Sequence, residues 1–195
     1  MLKIEKVKNL EFNDLVAPSG CMESSKISIT PMIPIVAQFE KISKDQWISD
    51  TGRDVKILEG IKKPKRATTG SAGYDFFAPF HIELAPGESL VIPTGIRAKI
   101  NDGWVLMEFP RSGLGFKFHM TLANTVGIID SDYYYAENEG HIFMKIINNH
   151  DDYLIIEEGD AFCQGIFIPF GITSDDYEDE KEIRKGGFGS TTKKQ

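Results

Sequence analysis

From residue 70 to residue 170 the apolar positions come in short runs separated by turn-forming residues. Residues 89–93, 96–100, 104–109, 142–147 and 165–169 are rich in Ile, Val and Phe, and parts of them alternate apolar with polar positions. Such runs predict β-strands, because successive side chains of a strand point to opposite faces. The intervening Ala85-Pro86-Gly87-Glu88 and Asn101-Asp102-Gly103 read as turns. The gaps are mostly too short for crossover helices, which favours antiparallel pairing. The pattern therefore predicts an all-β chain, a sandwich or jelly roll, with one short helix after Pro110 across residues 112–116.

Outside this stretch the pattern weakens. Residues 27–30 and 33–36 read as an early strand interrupted by prolines, which suits a sheet edge. Residues 41–66 are polar and end in the basic run Lys62-Lys63-Pro64-Lys65-Arg66, which reads as a solvated loop. Residues 173–183 form an acidic linker, and residues 184–195 a glycine-rich mobile arm. The expected organisation is one β domain over residues 1–172, the linker, and the arm.

The chain has 195 residues and a formal net charge of −7. That balance argues against nonspecific binding to nucleic acid, which needs a basic surface. A small phosphorylated ligand remains compatible with it, because a few local cations can offset the global field. Cys21 and Cys163 are far apart and form no metal-ligand spacing, which suggests reduced thiols and a cytoplasmic location. The N-terminal residues alternate charged and apolar positions, unlike a signal peptide, and no run is long enough for a membrane helix.

Five polar, glycine-containing segments follow one another along the chain. In Ser71-Ala72-Gly73-Tyr74-Asp75 a carboxylate close after a glycine can approach a ligand or hold metal-bound water. Pro110-Arg111-Ser112-Gly113-Leu114-Gly115 sets a guanidinium, a hydroxyl and glycine amides at a helix start, an arrangement suited to anions. In Asn124-Thr125-Val126-Gly127-Ile128-Ile129-Asp130-Ser131-Asp132-Tyr133 two apolar residues run into Asp130, and Tyr133 follows three positions later. A strand ending this way delivers an acid to a pocket mouth beside an aromatic ring, or simply closes in a turn carboxylate. In Glu158-Gly159-Asp160-Ala161-Phe162-Cys163-Gln164 an amide interrupts an apolar strand, a place where glutamine is ordinarily structural. Gly186-Gly187-Phe188-Gly189-Ser190-Thr191 places one aromatic between glycines ahead of two hydroxyls, either a flap that stacks on a ring or a loose terminus.

In this order the segments resemble the five motifs of the trimeric dUTPase family (deoxyuridine triphosphate nucleotidohydrolase), from about residue 65 onward. The resemblance implies a jelly-roll-like β-barrel subunit, a homotrimer with shared active sites, and Mg²⁺-dependent hydrolysis of dUTP to dUMP and pyrophosphate. Such an enzyme keeps uracil out of DNA and supplies dUMP for dTMP synthesis. The resemblance makes Asp130 the catalytic residue, orienting and deprotonating the water that attacks the α-phosphorus. Asp75 would hold Mg²⁺ through water. Arg111, Ser112 and Gly113 would bind phosphate oxygens, with Gln164 nearby. Asn124 and the backbone of Gly127, Ile128 and Ile129 would read the uracil edge in a tight hairpin. Tyr133 would pack on the deoxyribose, and Phe143 would belong to the pocket wall. Phe188 would close over uracil, and Arg184, Gly189 and Ser190 over the phosphates.

The chain departs from the family pattern in several places. Residues 134–139 are inserted before Gly140, Ala161 stands where an arginine is common, and Thr192 replaces a frequent glycine. Arg184 lies one position nearer the phenylalanine than usual, and residues 39–60, with Trp47, read as an added excursion. Two further readings carry different expectations. A dCTP deaminase of the same fold needs a glutamate on the strand after the third motif, and residues 142–148 contain none. A nucleotide-sensing trimer with little turnover would use the insertions to bind a regulatory protein partner.

Deleting residues 184–195 is expected to slow dUTP turnover far more than it lowers the melting temperature. Steady-state kinetics and a thermal melt of the truncated chain check this.

Overall fold

The computed structural model describes residues 33–176 and Gly187. Residues 27–30, the acidic segment beyond residue 176, and Arg184, Phe188, Gly189 and Ser190 lie outside the described residues. The chain divides into two units, Met1–Pro34 and Ile35–Gln195, and every element described belongs to the second. In chain order these elements are β1 (Ala37–Lys41), α1 (Lys44–Thr51), α2 (Val55–Gly60), β2 (Lys65–Arg66), β3 (Tyr74–Phe77), β4 (Ile82–Leu84), β5 (Ser89–Pro93) and β6 (Ile96–Ile100). They continue with β7 (Trp104–Pro110), α3 (Ser112–Phe118), β8 (Thr121–Leu122), β9 (Gly127–Ile129), a 3₁₀ turn over Ser131–Tyr135, β10 (Phe143–Ile147), β11 (Leu154–Ile156) and β12 (Ala161–Pro169).

All the described strand pairs are antiparallel. The largest sheet runs β2-β3-β12-β7-β9, a second runs β5-β10-β8, and β1-β6 and β11-β4 form two further ribbons. β12 joins strands distant from it in sequence, β3 and β7, as a jelly-roll-like all-β fold requires. Leu106, Phe76, Phe162, Ile92, Ile146 and Met144 fill the interior and are almost wholly buried. None of the described helices is long and apolar enough to cross a membrane.

Three local expectations need correction. Residues 33–36 form no regular strand, although Val36 O accepts from the Asn101 amide at 2.9 Å; the strand begins at Ala37 and pairs with β6. Pro34 has no amide hydrogen to give to a ladder, so regular pairing starts beyond it. The stretch after Ile129 is no tight hairpin. β9 pairs with β7 and β10 pairs with β5 and β8, so the chain crosses between sheets through the 3₁₀ turn.

The third correction concerns residues 39–60, which are part of the core. Ser43 caps α1 by accepting from the Gln46 amide, and Gly52 ends it in the left-handed conformation. Trp47 on α1 is fully buried, and its indole N–H donates to Asp54 O at 3.2 Å. Leu58 and Ile61 pack beneath it, against Gly95 between β5 and β6. Gly95 has φ +68°, and a Cβ there would stand 2.7 Å from Ile61 Cδ1 and 2.8 Å from Leu58 Cδ1. Only glycine meets both demands.

The inserted residues 134–139 fold onto this excursion. Glu139 accepts from Ser43 N and Ser43 Oγ at 2.8 and 2.7 Å, holding the α1 cap in place. Tyr134 donates to Glu40 at 2.8 Å, and the Arg97 guanidinium lies 4.4 Å from the Tyr134 ring centre. Just beyond, buried His141 bonds Asp50 through Nδ1 at 2.7 Å and accepts the Gly95 amide through Nε2 at 2.9 Å. Accepting at Nε2 leaves the proton on Nδ1, so the ring is neutral. Burial holds its pKa below the usual histidine value, against the pull of Asp50.

Trp47→Ala is expected to cost about 3–5 kcal/mol, as for other large buried aromatics. Equilibrium urea unfolding measures the loss; a change under about 1 kcal/mol would return residues 39–60 to the status of a surface addition.

Candidate active site

The polar residues of the first, second and fourth segments meet on one face of the large sheet. Gln164 on β12 is in register with Asp75 on β3 and with Phe109 on β7. Directly opposed residues of antiparallel strands project to the same face. Arg111, two residues beyond Phe109, continues that face. Its Nε lies 3.2 Å from Asp75 Oδ1, and Gln164 Nε2 donates to Pro110 O at 3.2 Å. Asp75 is the more buried partner of the ion pair, with its side chain 14% exposed.

Arg111 then starts α3, whose Ser112 and Gly113 are exposed. These three residues border a cavity of about 520 Å³ together with Lys117, Asp160 and Ala161. Lys117 adds a second cation that the motif reading passed over. Its signal was its place four residues after Gly113, one turn along the same helix.

The third segment builds a separate cavity of about 260 Å³. Asn124, Gly127, Ile128, Ile129, Tyr133 and Phe143 all border it. So do Glu108 and Gly187, which the motif reading did not single out. The Tyr133 hydroxyl donates to His141 O at 2.7 Å and accepts from Asn138 Nδ2 at 2.8 Å, so the ring is locked. A Cβ on Gly187 would come within 2.9 Å of that ring, placing the glycine directly against it. Phe143 stacks near His141, with ring centres 4.1 Å apart.

Asp130 is half-buried and caps the 3₁₀ turn in an extended conformation, φ −79° and ψ 158°. It borders neither cavity. The preceding Ile129 is opposite Leu106 on β7, whereas Arg111 lies five positions further along that strand direction. At about 3.4 Å per residue, roughly 17 Å of strand separates the two levels. Asp75 is also three strands away from β9, a further distance of about 14 Å across the sheet. Within one chain, Asp130 and the Asp75–Arg111–Gln164 group are therefore not brought together.

Glu108 stands on the opposite, inner face of β7, two residues after fully buried Leu106. It is 2% exposed, and its Oε1 has no hydrogen-bond partner among the described residues. Glycines oppose it on both sides, Gly127 on β9 and Gly165 on β12. A Cβ at Gly127 would collide with the Glu108 carboxyl. Burial raises the Glu108 pKa to about 8. The neighbouring Cys163 thiol is raised too, by burial first and by Glu108 second. The sequence signal was an acid at an inward position of an otherwise apolar strand, visible only once the inward face is known.

A family model for dUTPase matches residues 59–192. The deoxyuridine 5'-triphosphate nucleotidohydrolase of Lactococcus lactis subsp. lactis is 47% identical over 133 residues, covering 68% of this chain and 89% of its own. The Escherichia coli K12 enzyme of the same name is 38% identical over 149 residues, covering 70% and 94%. Among solved structures, the dUTPase of Streptococcus mutans aligns with a TM-score of 0.56 at 36% identity, covering 70% of this chain and 98% of that one. A mutant dUTPase from phage phi11 of S. aureus, whose structure reveals the coordination of a structural Mg(II) ion, shares the fold with a TM-score of 0.55 at 21% identity, covering 77% and 98%.

Glu108 predicts a pH dependence of stability. The group ionises near 4.5 in the unfolded chain and near 8 in the folded one. Between those values the folded state keeps a proton that the unfolded state has released, so stability falls as pH rises. The contribution is complete below 4.5 and is lost as pH climbs through about 8. Urea unfolding of wild type and Glu108→Gln across this window should show the decline in the first and a flatter profile in the second.

Proposed function

This chain belongs to the dUTPase family and hydrolyses dUTP, and from that premise we propose that each active site is completed by residues of neighbouring copies in a homotrimer. The observation that carries the proposal is the register of β7. Asp130 at one level and Asp75, Arg111 and Gln164 at the other are too far apart to act on one triphosphate within a chain, although their chemistry is complementary. A second copy supplies the missing half.

In this reading the base enters the smaller cavity, where Asn124 and the backbone of Gly127, Ile128 and Ile129 face its polar edge. The locked Tyr133 ring packs on the deoxyribose and leaves no room for a 2′-hydroxyl, and Phe143 forms part of the wall. Rejection of a thymine methyl is steric, and rejection of cytosine follows from opposing like hydrogen-bonding groups. Asp130 accepts from the 3′-hydroxyl and takes a proton from the water that attacks the α-phosphorus, with pyrophosphate leaving in line. Arg111, Ser112 and Gly113 of another copy hold phosphate oxygens, and Gln164 and Lys117 add polar contacts. Arg184, Phe188, Gly189 and Ser190 close the site and exclude water.

The family resemblance also implies Mg²⁺. Among the described residues no cluster of three or more His, Cys, Asp or Glu could cage a metal. Asp75, with no caging cluster around it among the described residues, fits an ion bound mostly by water and substrate oxygens, which is the habit of Mg²⁺. When bound, such an ion neutralises charge on the triphosphate. Asp75 orients its water shell, and Arg111, its partner here at 3.2 Å, becomes available to phosphate. A cytoplasmic location accords with this substrate. Deamination of dCTP is not favoured, since β10 carries no glutamate and the relatives are named as dUTP hydrolases.

Asp130→Asn is expected to lower kcat by about 10²–10⁴-fold, the usual worth of a positioned base. Arg111→Ala should be impaired as well. If the site is shared, co-expressing these two variants yields mixed trimers in which some sites carry both wild-type groups, and pyrophosphate release recovers above either variant alone. No recovery in verified mixed oligomers would confine each site to one chain.

A further inference from the structure

The mechanism leaves Glu108 unused, although it is the least comfortable polar group in the described fold. A carboxyl this deeply buried is normally hydrogen-bonded, because an unpaired polar atom away from water is costly. Its Oε1 has no partner among the described residues, yet the residue borders the cavity shared by Asn124, Gly127, Tyr133 and Phe143. The strand residues opposing it on both sides are glycines. Any side chain at Gly127 would strike the carboxyl, so the bare backbone of β9 leaves the acid its position beside the cavity.

We infer that Glu108 is a further substrate-binding residue, whose carboxyl donates a hydrogen bond to a ring carbonyl of the pyrimidine lodged in this cavity. The inference deepens the base-binding reading above and rests on it. Backbone groups of Gly127, Ile128 and Ile129 and the Asn124 amide serve the remaining polar positions of the base. The ligand then provides the partner that the free protein lacks.

The acid has the protonation state this needs. Burial moves its pKa up to about 8, so at neutral pH it is a neutral carboxyl with one donor and an acceptor. An ionised carboxylate would present only acceptors to a carbonyl oxygen and repel it. Among the described residues, nothing bordering the cavity favours ionisation, since none of them is Lys, Arg or His. β12 brings the Cys163 thiol, itself pushed upward by burial and by Glu108. β9 and β10 bring only Gly127, Ile128, Ile129 and Phe143 to the cavity, and the Tyr133 hydroxyl is engaged with His141 O.

The test compares wild type, Glu108→Met and Glu108→Gln by pyrophosphate release from dUTP, from neutral to alkaline pH, with thermal melts alongside. Methionine keeps volume and removes the donor. The expected result is a KM for dUTP raised about tenfold, the equivalent of one lost hydrogen bond, with the loss falling on KM more than on kcat and no fall in melting temperature. Glutamine restores a donor and should recover most of that loss. Wild-type KM should climb as pH passes about 8, and the Glu108→Gln profile should lack that step, which separates it from ionisation of uracil itself. An unchanged KM in a folded Glu108→Met protein overturns the inference. If that variant does not fold, the same alkaline step in Glu108→Gln as in wild type overturns it. Absence of pyrophosphate release by wild type would instead defeat the dUTP reading on which the inference stands.

Discussion

The alternation of side chains along β7 is the constraint from which the site follows. Phe109 and the succeeding Arg111 stand on one face, aligned through Gln164 with Asp75. Leu106 and Glu108 stand on the other, within the core. A slip of one residue would exchange the two sets, driving a guanidinium into the interior and exposing the apolar positions. Pairing with β12 on one side and β9 on the other opposes that slip. The same register holds Asp130 and Arg111 at different levels of a single subunit, which is the ground for proposing a shared site.

The two segments that depart from the family motifs depend on each other. Residues 39–60 supply Ser43, Asp50 and Trp47; residues 134–139 supply Tyr134 and Glu139, and His141 follows directly. Glu139 steadies the cap of α1, and Asp50 fixes the tautomer of His141. The ring of His141 in turn lies beside Phe143, in the wall of the smaller cavity. A continuous set of packed and hydrogen-bonded groups thus joins the α1 cap to that wall. Loss of residues 134–139 would take the Glu139 carboxylate from the Ser43 amide at the α1 cap, and loss of residues 39–60 would take Asp50 from the buried His141 imidazole.

Much of the strand pattern was legible because it is local. The runs at 89–93 and 96–100 coincide with β5 and β6, and the helix after Pro110 is present as α3, two residues longer than expected. Pro34 displaced the first strand, since a missing amide outweighs a run of apolar residues. Residues 41–66 looked polar because their few anchors, such as Trp47, Leu58 and Ile61, are spaced among charges that remain outside. Only the core beneath them reveals that those three side chains are buried.

By itself the sequence determined the all-β class, the order of the five segments and the chemical identity of the candidate groups. These are properties of periodicity, of turn residues and of side-chain type, each readable within a few positions. The tertiary structure decided which groups share a face, which level of the sheet each occupies, and that Glu108 lies buried between two glycines. Those facts arise from strand register between segments tens of residues apart, and no local pattern encodes a register until both strands are placed.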